Sequence, residues 1–355
     1  MDIDTDRSDS PILDDMPTRL AAEARAVERA GFSGVIRVDA SGQLLYQSAH
    51  GLADRAHRVA NDCETRFAIA SGTKGYTAAV VMALVERRQL QLSTTARSLL
   101  GAELPLVDDD VTIEHLLAHR SGVGDYLAES LLTSINEYVM TEPVHVLDSP
   151  SAALVLLADL PMTDRPGTRF AYNNSGFVLL ALLAERATRT SFYDLVDELV
   201  CRPAGLHSTE MLRTDTLPGD TALGYLHSDG LQSNTLHVPV KGLGDGGLYS
   251  TTEDMAQFWR ALFAGDIVRP ATLTRMTTPQ GRTSGGRPYG LGLWLDPHTD
   301  AVDLEGYDAG ISFKSVHQRS RQLTWTIISN WSDGAWPLAD RVARLLSAST
   351  PGPGS

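Results

Sequence analysis

Predicted strands lie at both ends of this chain, and predicted helices fill its middle. The segment 32–51 has the pattern of two strands around a turn, and three later segments, 289–295, 303–318 and 322–331, have the pattern of strands again. The last two flank a short turn near Arg319–Arg321, which indicates antiparallel pairing. If strands from both ends of the chain share one sheet, the segment between them forms an insertion in that domain.

The middle of the chain indicates such an insertion. Its helical segments are each bounded by Gly or Pro, and we predict an all-helical domain at 96–235. The flanking segments 17–95 and 236–350 then form one discontinuous domain, in which an antiparallel sheet is flanked by helices. The fold class is therefore α/β, of the α+β kind. We expect residues 1–16 to be a disordered lead-in and 351–355 to be a tail outside the fold.

The charge and composition exclude several functions. The formal net charge of −14 repels phosphate backbones and anionic lipids, so nucleic acids and membranes are poor partners. The N-terminus is acidic and lacks the basic and apolar regions of a secretory signal, which favours a cytoplasmic location. The two cysteines, Cys63 and Cys201, require no disulfide scaffold. Neither metal-binding histidine spacings nor phosphate-binding glycine motifs are present, so we predict no metal and no cofactor and leave the oligomeric state open.

The chain contains the motif S-x-x-K, which is a candidate catalytic motif. Ser71 and Lys74 stand at the predicted start of a helix of about four turns, where residues three apart share a face. A serine hydroxyl needs an adjacent base, and a desolvated lysine can be one. Lysine is rare here, since Lys74, Lys241 and Lys314 stand against 27 arginines, and lysine can lose its proton where arginine cannot. Chance retention is the alternative, and it is the better explanation for the other two lysines.

A second motif, Y-x-N, is formed by Tyr172, Asn173 and Asn174 on a loop before a predicted helix. A tyrosine beside a lysine can relay a proton from the serine to a leaving group. Asn174 can hydrogen-bond both the lysine and a substrate carbonyl. Taken alone, the motif is better explained by a buried structural tyrosine and an asparagine that caps the helix.

Taken together and in order, these segments resemble the β-lactamase-related serine hydrolases: class C β-lactamases, D-alanyl-D-alanine carboxypeptidases and their esterase relatives. The resemblance runs from about residue 32 to residue 331 and is carried by five segments: TRFAIASGTKGYTA, LLAHRSGVGDY, PGTRFAYNNSGFVLL, GDGGLYSTTEDMAQF and YGLGLWL. It implies a β-lactamase/transpeptidase-like fold. It also implies that Ser71 is the nucleophile, Lys74 its activator and Tyr172 the general base and acid, with Asn174 beside them.

The family's third motif is K-T-G or H-x-G on a strand at the edge of the cleft. Aligning Gly310 with a later glycine of the family places Leu304–Gly306 at this motif, while another register would place Asp308–Gly310 there. In the first register Gly306 lets a substrate approach the strand backbone closely. The backbone N–H of Tyr307 then becomes the second donor to the oxyanion.

The third motif of this chain lacks the family's cation, because Leu304 occupies its position. In the family that cation helps to hold a substrate carboxylate, as in a β-lactam. Glu305 and Asp308 would repel a carboxylate if they faced the cleft. The sequence therefore favours a neutral ester or amide as the small-molecule substrate over a β-lactam or a peptide that ends in D-alanine.

Four functions stay open at this stage. The first is an intracellular serine esterase or amidase that works through an acyl-enzyme, with esterase-like activity favoured. The second is a β-lactamase or D-alanyl peptidase, and the third is an acyltransferase that uses the same acyl-enzyme. The fourth, a non-catalytic binding module, is disfavoured because Ser71, Lys74, Tyr172 and Asn174 are all retained. A buried structural role is the better prediction for His119.

Overall fold

A computed structural model describes residues 15–129 and 132–348. The predicted tail at 351–355 and nearly all of the predicted lead-in lie outside the described residues. Met16, which the sequence assigned to the lead-in, instead begins the first described helix and is buried.

One antiparallel sheet dominates the structure, as the sequence predicted. Its eight strands follow the order β2-β1-β12-β11-β10-β9-β8-β7, so the first strand of the chain pairs with the last. The strands are β1 Gly34–Ala40, β2 Gln43–His50, β3 Leu52–Asp54, β4 Val59–Ala60, β5 Phe67–Ala68, β6 Tyr249–Ser250, β7 Gly281–Arg282, β8 Pro288–Tyr289, β9 Trp294–Leu295, β10 Ala301–Asp308, β11 Ile311–Gln318 and β12 Leu323–Ser329. Of these, β3 pairs with β4 and β5 with β6 in two small sheets of their own.

Helices cover both faces of the large sheet. The described α-helices are α1 Met16–Glu28, α2 Thr73–Glu86, α3 Ala96–Leu100, α4 Ile113–Leu117, α5 Leu154–Leu157, α6 Asn174–Thr188, α7 Phe192–Val196, α8 Arg202–Ala204, α9 Thr252–Ala264, α10 Pro270–Met276 and α11 Trp336–Ala348. The terminal helices α1 and α11 pack together on one face, where Leu20 and Leu338 join Ile36 and Ile327 in one apolar cluster. This arrangement brings the two ends of the described chain onto the same side of the sheet.

The opposite face of the sheet carries the main core. Residues from α2, α6 and α9 share one apolar cluster with Phe313 of β11 and Ile328 of β12. The segment 96–235 contributes to this same cluster and is less helical than the sequence predicted, because long irregular stretches separate its helices. This core places α2 and α6 side by side, and the N-terminal end of α2 lies close to β10. Within the described residues, no helix has the length and apolar character needed to cross a membrane.

Candidate active site

Ser71 lies in a tight turn that leads into α2. The turn, Ala70–Gly72, is a 3-10 helix, and the α-helix begins at Thr73, two residues after the start predicted at Ser71. The Thr73 hydroxyl donates to the backbone oxygen of Ala70 at 2.7 Å and accepts from the backbone N–H of Leu248 at 3.1 Å. These bonds hold the turn against the segment that contains Leu248 and fix the direction in which the serine points.

The amine of Lys74 makes three contacts. Its Nζ lies 2.8 Å from the Oγ of Ser71, 2.8 Å from the Oδ1 of Asn174 and 2.8 Å from the backbone oxygen of Asp245. Amide and backbone oxygens only accept, so Nζ donates to both of them, and only the contact with the serine can run in either direction. A neutral amine can therefore accept the serine proton while its other partners stay in place.

The electrostatics of the site favour that neutral amine. Lys74 is only 2% exposed, and burial lowers its pKa from the ordinary value. The carboxylates of Asp245, Glu129 and Asp125 act in the opposite direction but do not cancel the effect of burial. A lysine of lowered pKa is a better base near neutral pH than an ordinary one.

Tyr172 reaches the same point from the loop before α6. Its ring lies 5.0 Å from the Nζ of Lys74, stacks on Trp294 at 6.0 Å and contacts His119 at 4.4 Å. Burial raises the pKa of Tyr172 well above its ordinary value, and Glu129 raises it further, while a hydrogen bond with the Ser71 side chain opposes them. The phenol is therefore protonated at neutral pH.

Asn174 is the first residue of α6, and its position depends on an acid that the sequence did not single out. Asp125 accepts the backbone N–H groups of Asn174 and Ser175 at 3.0 and 3.1 Å, and so satisfies two donors at the N-terminus of the helix. The amide of Asn174 donates to the backbone oxygen of Leu127 at 2.9 Å and to Glu129 at 3.3 Å. Its oxygen is thereby left to face Lys74. Burial raises the pKa of Asp125 to about 6.

His119 holds the tyrosine loop, in agreement with the structural role predicted for it. Its Nδ1 accepts the backbone N–H of Asn173 at 3.1 Å, and its ring lies between Tyr172 and Phe177. Burial lowers the pKa of His119 well below its ordinary value, and Lys74 lowers it further. The imidazole is therefore neutral, and it adds no charge to the site.

Of the two registers proposed for the third motif, the first lies wholly on β10. Leu304, Gly306 and Tyr307 belong to the strand, whereas the alternative match at 308–310 extends into the hairpin turn before β11. A Cβ added at Gly306 would overlap the backbone oxygen of Ile69. Glycine at this position therefore lets β10 approach the backbone just before the turn that carries the nucleophile, while the approach of a substrate to Gly306 stays a prediction. Tyr307 follows this contact and lines the same cleft as Ser71.

In the first register Leu304 occupies the position of the family's cation. Leu304 is 2% exposed and packs on α2, where a Cβ at Gly75 would lie 2.7 Å from its side chain. Glu305, which was expected to repel a carboxylate if it faced the cleft, does line the cleft, but it also forms ion pairs with Arg287 and Lys314.

The cleft above Ser71 has a volume of about 790 Å³. Acidic side chains outnumber basic ones among its described lining residues, which include Asp125, Glu129, Glu305 and Arg169. Arg169 forms an ion pair with Asp164 at 2.6 Å, and the side chain of Arg169 is exposed. Among the described residues, Glu129 and Asp125 form no ion pair with an arginine or lysine, and both act with Asp245 on the pKa of Lys74. Burial raises the pKa of both Glu129 and Asp125.

The structure combines a large antiparallel sheet between helices with a serine that contacts a buried lysine at the start of one helix. These features define the class of β-lactamase-related serine hydrolases. The family model described as Beta-lactamase matches residues 21–349. The chain therefore belongs to the beta-lactamase family, and the resemblance drawn from its ordered motifs is confirmed.

Individual relatives agree with this assignment. The D-aminopeptidase of Brucella canis is 30% identical over 348 residues, which cover 94% of this chain and 62% of that protein. The chain thus spans about three fifths of the length of this curated relative. Among solved structures, a penicillin binding protein from Bacillus halodurans is 32% identical, with a TM-score of 0.85 and coverage of 92% of this chain and 99% of that one.

The D-amino acid amidase from Ochrobactrum anthropi SV3, solved with L-phenylalanine amide, has the same fold. It is 22% identical, with a TM-score of 0.77 and coverage of 94% of this chain and 98% of that one. At this level of identity the likeness shows the fold alone.

Proposed function

We propose that this protein hydrolyses an amide or ester that carries a primary amine beside the scissile carbonyl, through an acyl-enzyme on Ser71. One observation carries the proposal. A buried lysine of lowered pKa contacts the serine hydroxyl, inside a cleft whose described charges without an ion-pair partner are carboxylates.

Acylation follows from the geometry. Neutral Lys74 takes the proton of Ser71 as Oγ forms a bond to the carbonyl carbon, and the carbonyl electrons move onto its oxygen. We assign the backbone N–H groups of Ser71 and Tyr307 as donors to this oxyanion, on the strength of their shared place in the cleft. Protonated Tyr172 is suited to give its proton to the departing amine or alkoxide as the carbonyl carbon releases it.

The return to the free enzyme uses the same groups. The proton that Lys74 has accepted restores Tyr172, so both residues are ready for a second transfer. Water then attacks the acyl carbon and gives up a proton to the Lys74–Tyr172 pair. The carbon–Oγ bond breaks, Ser71 recovers its proton, and the acid is released.

The preference for an amine rests on charge. Glu129 lines the cleft and lies near enough to Lys74 and Tyr172 to affect both of their pKa values, while Asp125 lines the same wall. A substrate ammonium gains attraction from these carboxylates, and a substrate carboxylate meets repulsion. The name of one relative, the D-aminopeptidase, supports an amine-bearing substrate over the neutral ester or amide that the sequence favoured.

Matched p-nitroanilides test the proposal. The set consists of D-alanine p-nitroanilide, its N-acetyl derivative and the corresponding L pair. We expect kcat/KM to be at least ~10-fold higher for a free amine than for its acetylated partner, because one close charge pair supplies about that factor. Equal rates for the two partners would refute the amine preference, and no turnover of any member would refute the amidase activity.

Glu129→Gln tests the source of the preference. We expect this change to lower the ratio between free and acetylated substrates by about tenfold. The matched control is Glu137→Gln, at an exposed position in the same part of the chain, which should leave the ratio unchanged. A ratio that survives Glu129→Gln would assign amine recognition to another residue.

A further inference from the structure

Four charged side chains form a compact cluster in the wall of the cleft. The guanidinium of Arg287 lies 2.8 Å from an oxygen of Glu305 and 2.6 Å from an oxygen of Asp303. Lys314 contacts the other oxygen of Glu305 and lies 3.6 Å from Asp303. Two carboxylates and two cations therefore cancel in formal charge.

The fold places these residues together from three segments. Asp303 and Glu305 alternate with buried residues along β10, and Lys314 is the register partner of Glu305 on β11. Arg287 comes from the loop before β8, and its guanidinium lies 4.3 Å from the ring of Trp294. Three contacts therefore hold Arg287 in place: two carboxylates and one aromatic face.

Only one member of the cluster faces the substrate. Glu305 lines the cleft with Ser71, whereas Arg287, Asp303 and Lys314 line a separate depression of about 570 Å³ behind it. Trp294 belongs to the cleft wall and stacks on Tyr172, so the guanidinium lies one ring away from the site. The glutamate thus stands between the cleft and both cations.

We propose that Glu305 is a specificity-determining residue that excludes carboxylate-bearing substrates by engaging Arg287 and Lys314. The assignment rests on the proposed function, since it concerns which esters and amides reach Ser71. With Glu305 in place the wall is neutral and offers no free cation to an anionic group. Without its charge the same wall carries one surplus positive charge, on side chains that are 31% and 22% exposed.

The exclusion holds throughout the neutral pH range. Burial by itself would raise the pKa of Glu305, but Lys314 and Arg287 outweigh burial and hold this pKa below its ordinary value. The carboxylate therefore stays ionised and keeps both partners at neutral pH. Asp303 remains to hold the two cations if Glu305 is replaced, so the strand pairing does not depend on Glu305 alone.

The experiment compares two esters of D-alanine that differ only in the leaving group, 3-carboxyphenol or its methyl ester. Wild-type protein is expected to prefer the neutral ester. Glu305→Gln should raise the ratio of kcat/KM for the anionic ester over the neutral one by about tenfold, and adding Arg287→Gln should bring it back down. A ratio that stays within twofold of wild type in Glu305→Gln, or that persists in the double variant, overturns the proposal.

A binding measurement separates this proposal from the proposed function. In a Ser71→Ala background, titration with 3-hydroxybenzoate and with its methyl ester reports the same preference without any turnover. We expect Glu305→Gln to tighten binding of the carboxylate about tenfold and to leave the methyl ester unchanged. Failure of wild-type protein to hydrolyse either ester would refute the hydrolase, whereas unchanged binding of the carboxylate would refute the role of Glu305.

Discussion

The Nζ of Lys74 lies 2.8 Å from the Oγ of Ser71, and this contact joins two residues three positions apart at the start of one helix. Proximity of the pair is local, because a helical turn brings such residues together. The chemistry of the pair is not local. Asn174 and the backbone oxygen of Asp245, each 2.8 Å from Nζ, come from distant parts of the chain and leave the serine as the partner that can give up a proton.

Lys74→Arg keeps the positive charge but removes a side chain that can lose its proton. If Lys74 is the base, Lys74→Arg and Lys74→Met should both lower kcat/KM for a p-nitroanilide substrate by about 10²–10⁴-fold. Lys241→Arg is the matched control, since that lysine lies over the ring of Tyr193, outside the cleft lining, and should change the rate less than twofold. An arginine variant within tenfold of wild type would show that charge alone suffices.

Tyr172→Phe removes one oxygen and keeps the ring that stacks on Trp294. If the phenol, which is protonated at neutral pH, supplies the proton of the leaving group as proposed, kcat should fall about 10²-fold or more. The loss should be smaller for substrates whose leaving group needs no proton, such as p-nitrophenyl esters. Tyr289→Phe, a buried tyrosine in the same aromatic group, is the control and should retain activity.

Gly306→Ala should separate β10 from the turn that carries Ser71, because the new methyl group would overlap the backbone oxygen of Ile69. We expect a loss of about 1–3 kcal/mol in the free energy of unfolding, together with a large loss of acylation rate. Gly219→Ala introduces the same methyl group where nothing lies within 4 Å and should change neither quantity. Chemical denaturation and single-turnover kinetics on both variants measure the two effects.

Asp308 makes stability depend on pH. It faces a small cavity of about 40 Å³ behind the site, and burial raises its pKa from the ordinary 3.8 to about 7. Between these values the folded protein binds a proton that the unfolded chain does not, so this group destabilises the fold progressively as pH rises through that window.

Asp308→Asn removes the cost of that buried charge. The melting temperature of the variant should exceed that of wild type by about 5–10 °C at pH 8 and by far less at about pH 4. Asp340→Asn, at an exposed position on α11, provides the control and should shift neither value. An equal gain at both pH values would mean that the carboxyl of Asp308 is not the group that titrates.

Much of the fold could be predicted because its signals are local. Alternation of apolar and polar residues marks the strands, and the turn predicted near Arg319–Arg321 connects β11 to β12, which pair antiparallel as expected. The sequence placed 303–318 in a single strand, whereas the structure divides it into β10 and β11, joined by a hairpin. The segments 123–150 and 207–240 gave no such signal. They are held by contacts between them, such as the bond from the backbone N–H of Val240 to the oxygen of Val144, and no periodicity records such contacts.

The same distinction applies to the site. Ser71 and Lys74 lie close in sequence, and the Y-x-N motif gained meaning from the resemblance of the whole chain to a family. Asp125 acts by accepting backbone N–H groups 49 and 50 positions away, which no local pattern encodes. The sequence alone indicated that the negative charge of Glu305 would disfavour an anionic substrate. It did not indicate that Arg287, from a loop 18 positions earlier, pairs with this charge.

The identity of the nucleophile is the central claim, and intact-protein mass spectrometry tests it most directly. Wild-type protein and a Ser71→Ala variant are incubated with a fluorophosphonate probe and, separately, with D-alanine p-nitrophenyl ester. The account predicts one covalent adduct on wild-type protein, mapped by peptide digestion to Ser71, and neither adduct nor hydrolysis with the variant. An adduct of the same mass on Ser71→Ala, or hydrolysis that survives in it, would contradict the account.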